Sequence, residues 1–184
     1  MFLNLQLLLF LNLRLSMNSF KALFYQRLRG YVFVVTQVTC VAHLFTQHVA
    51  NVGMCEGASM LPTLNPHGDI LLQESLSLKL SPPRLSRGDL VISISPVDPT
   101  RLVCKRLLGL QGDTICVDPS ENDTRHVVVP QGHVWLQGDN YSNSRDSRVY
   151  GPVPMGLIRA RVLARVWPLA DATWLRNPWT YLDE

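Results

Sequence analysis

No aspartate or glutamate occurs before Glu56, and between Arg29 and Glu56 there is no Asp, Glu, Lys or Arg. A run of that length without formal charge must find an apolar environment, and about 20 residues of helix cross a bilayer. Residues 31–52 are therefore expected to form one transmembrane helix. Thr36, Gln37, Thr39, His43, Thr46, Gln47 and His48 dilute the run, and a buried amphipathic helix is the competing reading. The membrane is favoured because the basic residues Arg14, Lys21, Arg27 and Arg29 all stand on one side of it. By the positive-inside tendency, residues 1–30 then stay in the cytoplasm or its mitochondrial counterpart, with the rest of the chain across the bilayer. Within that basic segment every odd position from Leu3 to Leu15 is leucine, a period of two that matches no helix face. Met17-Asn18-Ser19-Phe20-Lys21 reads better as a beginning, basic and acid-free like an organelle-targeting segment. Residues 1–16 are expected to be an extension.

The remaining chain is electrically balanced, with thirteen basic and fourteen acidic residues from Glu56 onward. The overall charge of +3 thus belongs to the N-terminal segment, and a nucleic-acid partner is not expected. Cys40, Cys55, Cys104 and Cys116 form no C-x-x-C pair and no ligand spacing with histidine, so neither a metal site nor a disulfide framework is indicated. Four Gly-Asp pairs (Gly68-Asp69, Gly88-Asp89, Gly112-Asp113, Gly138-Asp139) punctuate the body. The first three lead into short apolar runs, the pattern of strands joined by tight turns. Leu102–Leu108, His126–Val129 and His133–Leu136 are further strand candidates. The clearest runs from Leu157 to Trp167, where Ile158, Ala160, Val162, Ala164 and Val166 alternate with Arg159, Arg161, Leu163 and Arg165. The expectation is a mostly β domain over 53–168 with irregular connections, Pro-rich at Pro82-Pro83, and an aromatic tail over 169–184 (Trp174, Trp179, Tyr181).

Two residues carry the chemical signal. Ser59 lies in Gly57-Ala58-Ser59-Met60-Leu61-Pro62-Thr63, and Lys105 lies in the apolar run Leu102–Leu108. A serine becomes a nucleophile when a neighbour takes its proton, and an amine can do so only while neutral. Burial favours the neutral amine. The chain has three lysines against fourteen arginines, and arginine cannot deprotonate in a protein, so lysine at this position is a chemical choice. Taken singly, the serine is a turn residue and the lysine an edge residue with a snorkelling head. His67, His126 and His133 could join Ser59 in a histidine triad, but none sits in a supporting motif.

Four boxes occur in order: Ser59-Met60-Leu61-Pro62-Thr63, Arg87-Gly88-Asp89, Lys105-Arg106-Leu107-Leu108-Gly109-Leu110-Gln111-Gly112-Asp113, and Gly138-Asp139-Asn140 leading through Ser144-Arg145-Asp146-Ser147-Arg148. Together they resemble the type I signal peptidases, membrane-bound Ser/Lys endopeptidases. The short spacers and the ending Gly151-Pro152-Val153-Pro154-Met155-Gly156-Leu157-Ile158 are most similar to the mitochondrial inner membrane protease branch, its first subunit more than its second. The resemblance implies a signal-peptidase-like fold of antiparallel strands behind one membrane-anchor helix. It makes Ser59 the nucleophile, Lys105 the general base and Ser144 the hydroxyl that orients the lysine. Asp146 and Arg148 become a structural ion pair, and Met60 a residue packed near the site. It implies no metal or organic cofactor, precursor proteins with cleavable sorting signals as substrates, and a homologous second subunit as partner. The body would face the mitochondrial intermembrane space. The backbone N–H of Ser59 would help bind the oxyanion, whereas Gly57 stands where some bacterial members have a serine as second donor. Asn122-Asp123-Thr124 and Asn140-Tyr141-Ser142 fit the glycosylation pattern. The second falls in the presumed catalytic loop, which favours mitochondria over the secretory pathway. Competing readings are a bacterial or plastid signal peptidase, a non-catalytic subunit of the same assembly, and an autocleaving repressor. For the last, residues 1–50 offer no helix-turn-helix.

Overall fold

The structure is a computed structural model describing residues 2–80, 84–118 and 125–175, with side chains from residue 24 onward. The Pro82-Pro83 connection, the Asn122-Asp123-Thr124 sequon and the tail residues Trp179 and Tyr181 lie outside the described residues. The chain divides into two units, Met1–Phe45 and Thr46–Glu184.

The first unit is one helix, α1 (Phe2–His48), which runs on into the second. Its stretch Phe24–His48 is long and apolar enough to cross a membrane, and its described side chains are exposed along that length. Two expectations change. The alternating leucines lie within helix, because leucine is a strong helix former and no Gly or Pro interrupts residues 2–29. The expected helix 31–52 ends at His48, and residues 50–52 open a strand, where Ala50, Asn51 and Val52 pair with Glu74, Gln73 and Leu72 of the next strand.

The second unit is a mostly antiparallel β body. Its strands are β1 (Ala50–Cys55), β2 (Asp69–Glu74), β3 (Leu90–Ile94), β4 (Leu102–Gly109), β5 (Thr114–Cys116), β6 (His126–Val128), β7 (His133–Gln137), β8 (Val153–Pro154), β9 (Ile158–Trp167) and β10 (Thr173–Trp174). Two single-turn helices, α2 (Leu76–Lys79) and α3 (Ser147–Tyr150), interrupt them. The main sheet runs β1-β2-β9-β3-β4-β7-β8 with β10 on β9, and β5 and β6 form a separate hairpin. The expected strands are all present, and the mostly β fold class is borne out. The body reaches beyond 53–168 at both ends, because β1 pairs Ala50 with Glu74 and β10 pairs Trp174 with Ala164.

The alternation in β9 has the expected cause. Ile158, Ala160, Val162 and Ala164 are buried, while Arg161 and Arg165 meet carboxylates on the other side of the strand. Strand β3 is buried on both faces. Leu90 and Ile92 join Met60, Leu64, Leu71, Cys104 and Val162 in one apolar cluster, and Val91 joins Leu107, Val134, Leu136 and Val153 in another. That double burial holds β4, and with it Lys105, rigidly in the sheet.

Candidate active site

Ser59 sits in a short turn of 3-10 helix, Ala58–Met60, in the loop from β1 to β2. Met60 and Leu64 anchor this loop from below, at 1% and 0% exposure, and the Leu64 N–H donates to the Met60 carbonyl at 3.0 Å. Met60 is therefore a core residue beneath the serine. Gly57 adopts φ +117°, a conformation L side chains rarely take. A serine at this position would be strained, which is the physical reason this loop carries glycine there.

Lys105 lies on β4 opposite Val91 and is 3% exposed. Its Nζ donates to the Ser144 Oγ at 2.9 Å. Burial pushes the amine below its usual pKa, and Arg148 adds to this, while Asp146 and Cys104 pull the other way.

Ser144 closes the loop after β7. Asp146, fully buried, accepts from the Arg148 guanidinium at 2.9 Å, from the Gly138 N–H at 2.9 Å and from the Ser144 hydroxyl. Burial alone would raise the Asp146 pKa, and these donors outweigh it and lower it. Arg148 in turn lies 3.9 Å over the Tyr141 ring. A line of groups thus runs from Lys105 through Ser144 and Asp146 to Arg148.

Gly138 joins this line to the serine loop. A Cβ added there would collide with the Ser144 side chain and lie 2.6 Å from the Ser59 carbonyl oxygen. Three of the four Gly-Asp glycines use positive φ (Gly68, Gly88 and Gly112); the fourth is required for close approach. Asn140 completes the clamp: its N–H donates to the Ser59 carbonyl at 3.0 Å and its Nδ2 to the Ala58 carbonyl at 2.9 Å. The Ala58–Met60 turn packs against β4 and against the Tyr141–Asn143 turn. Ser59, Lys105, Ser144, Asp146 and Arg148 are therefore gathered in one region, from three separate stretches of chain.

A further brace lies among residues singled out only as motif letters. Arg106 meets Asp139 through two contacts at 2.7 and 2.6 Å and donates to the Gly88 carbonyl at 2.8 Å, while the Thr63 hydroxyl donates to Asp139. The serine loop, the lysine strand, the Arg-Gly-Asp turn and the Gly-Asp-Asn loop are thereby tied together. Sequence order signalled these boxes; their mutual contact required the fold. A groove of about 510 Å³ opens beside Ser59, walled by residues 51–58 on one side and Arg101–Cys104 on the other. Lys105 is not in that lining. Among the described residues no group of three or more His, Cys, Asp and Glu could hold a metal ion.

The family model for signal peptidase, peptidase S26, matches residues 28–124 and 117–167. The chain belongs to this family. It is 48% identical to the human mitochondrial inner membrane protease subunit 1, over 82% of this chain and 87% of that protein. The Schizosaccharomyces pombe subunit 1 is 46% identical over 78% of this chain and 88% of its own length. The subunit 2 of the same yeast is 39% identical over 84% of this chain and 83% of its length. The resemblance read from the ordered boxes is borne out, including its leaning toward the first subunit. This peptidase S26 chain is a serine endopeptidase of the signal-peptidase type.

Proposed function

We propose that the chain is a membrane-anchored endopeptidase that removes hydrophobic sorting segments from precursors delivered to the mitochondrial intermembrane space, with Ser59 as nucleophile and Lys105 as general base. The observation that carries this reading is a buried lysine whose hydrogen-bond partner is a hydroxyl, within the region that also holds the Ser59 loop. A carboxylate partner would hold the amine charged, whereas a hydroxyl orients it without doing so. Neutral Lys105 takes the Ser59 proton as the Oγ attacks the scissile carbonyl. The Ser59 N–H stabilises the oxyanion, and the lysine ammonium then returns the proton to the leaving amine. Water repeats the sequence on the acyl-enzyme, again through Lys105. Asp146 and Arg148 hold the Ser144 loop, and Met60 supports the serine from below.

The groove supports an extended substrate. Among the described pairings β1 pairs only with β2, and residues 102–105 of β4 only with β3, so both groove walls have main chain available to a peptide strand. The relatives' names and the helix Phe24–His48 support the mitochondrial inner membrane as location. The one-sided basic residues support a body facing the intermembrane space. Similarity to both subunit types supports a heterodimer with a homologous second subunit.

The test is precursor cleavage by the membrane-embedded chain. Ser59→Ala and Lys105→Met each abolish cleavage while the body stays folded, and cleavage by the parent rises with pH to a midpoint below the free-lysine value of about 10.4. Residual cleavage by either variant removes the dyad, and an inactive parent favours the non-catalytic subunit. Protease access to the body only after the outer membrane is opened is the expected topology. Recovery in another membrane overturns the location.

A further inference from the structure

Cys55 closes β1 at one wall of the groove and Cys104 lies in β4 at the other; both thiols are free. Cys55 packs against the apolar cluster that contains Cys104, and both residues line the same groove. They come from strands four positions apart in the sheet order, so the curl of the sheet alone brings them together. Cys55 is half-buried and reaches the groove; Cys104 is 8% exposed.

We propose that Cys55 and Cys104 form a thiol pair that takes a disulfide modification from a disulfide oxidant such as glutathione disulfide, and that the bond closes the substrate groove. The sharing of protons within the pair fits the order of events. The neighbouring Cys104 holds the Cys55 pKa down, while Cys55 and burial push Cys104 well up. The Cys55 thiolate attacks one sulfur of the oxidant, forms a mixed disulfide and releases one small thiolate. Cys104 then loses its proton and its sulfur attacks the Cys55 sulfur, releasing the second small thiolate. Two protein thiols are oxidised, and one external disulfide is reduced to two thiols.

Geometry gives the consequence. A disulfide holds its two Cα atoms within about 6.8 Å. A peptide strand lying between β1 and β4 needs about 9.6 Å between them, two inter-strand spacings of about 4.8 Å. The bond and a bound peptide strand exclude each other at this level of the groove.

The experiment uses the full chain in detergent, incubated with glutathione disulfide, digested without reduction and mapped by mass spectrometry, with precursor cleavage measured alongside. A Cys55–Cys104 linked peptide is expected, together with at least about tenfold loss of cleavage that dithiothreitol restores. Cys55→Ser abolishes the linked peptide, and its cleavage rate, whatever its basal value, becomes the same with and without oxidant. Glutathione stably attached to Cys55, or linkage through Cys40 or Cys116 instead, overturns the pairing. A linked peptide with full cleavage overturns the closure of the groove. The closure rests on the reading of the groove as the peptide channel, whereas the mapping does not. A chain that forms the bond but never cleaves in its reduced state therefore fails the functional reading and leaves the pairing standing.

Discussion

The outer side of β9 and the loop beneath Lys105 treat positive charge in opposite ways. On β9, Arg161 lies 3.0 Å from Glu74 and 3.8 Å from Asp89, and Arg165 lies 3.4 Å from Asp69. Both of these arginines meet a carboxylate. At the loop, the nearby carboxylate of Asp146 already pairs with Arg148, and Lys105 receives a hydroxyl. Asp146 is close enough to pull the lysine pKa up, yet burial wins and the net shift is down. Compensated charge stabilises a fold, whereas an amine left without its own counter-ion can accept a proton. The difference lies in which partner each cation is given.

Breaking the loop's internal pair has the largest expected effect. Asp146→Ala leaves Arg148 without its partner at 12% side-chain exposure and costs about 3–5 kcal/mol, read by denaturant unfolding. The sign with pH follows from the lowered folded-state pKa of Asp146. The stabilisation is fully present above the unfolded carboxylate value of about 3.9 and is lost as pH falls through the folded value. The parent therefore loses stability on acidification in that window, and the variant loses less; equal slopes refute the assignment.

Making the loop resemble β9 comes next. Ser144→Asp places a carboxylate beside Lys105, raises the amine pKa by about 1–3 units and lowers neutral-pH cleavage about 10- to 1,000-fold, with recovery at higher pH. A pH profile parallel to the parent's contradicts this.

Gly138→Ala tests the close approach. Its Cβ meets the Ser59 carbonyl and the Ser144 side chain, so one loop must move. A displacement of about 1 Å costs on the order of 100-fold in kcat. A kcat within about twofold of the parent shows that the loops yield freely.

The smallest effect belongs to β9. Arg161 is partly exposed, and Arg161→Met costs about 1 kcal/mol of stability while cleavage stays within about twofold of the parent. A large loss of cleavage would join β9 to the chemistry and erase the contrast.

Much of this was legible beforehand because it depends on local pattern. The alternation in β9 and the turn residues before β2, β3 and β5 require only the period of a strand and the conformational range of glycine. The serine and lysine boxes were legible as ordered motifs. What escaped had a common cause. The first half of β1, residues 50–52, falls inside the expected helix because these residues continue the uncharged run, and only their pairing with β2 makes them a strand. Trp174 was assigned to a tail, yet it pairs with Ala164 on β9. The tie of Arg106 to Asp139 and Thr63 was invisible because its partners lie 33 and 43 residues away.

By itself, the order of residues determined that a helix with a long uncharged run precedes a β body, and that a serine and a lysine in that body stand in peptidase boxes. Those properties follow from side-chain polarity and backbone propensity acting over a few neighbours. Only the tertiary structure decided that Lys105 is buried and faces a hydroxyl, that Gly138 lets two loops touch, and that Cys55 meets Cys104. Each of these is a distance between segments remote in the chain, fixed by sheet pairing and core packing rather than by local preference.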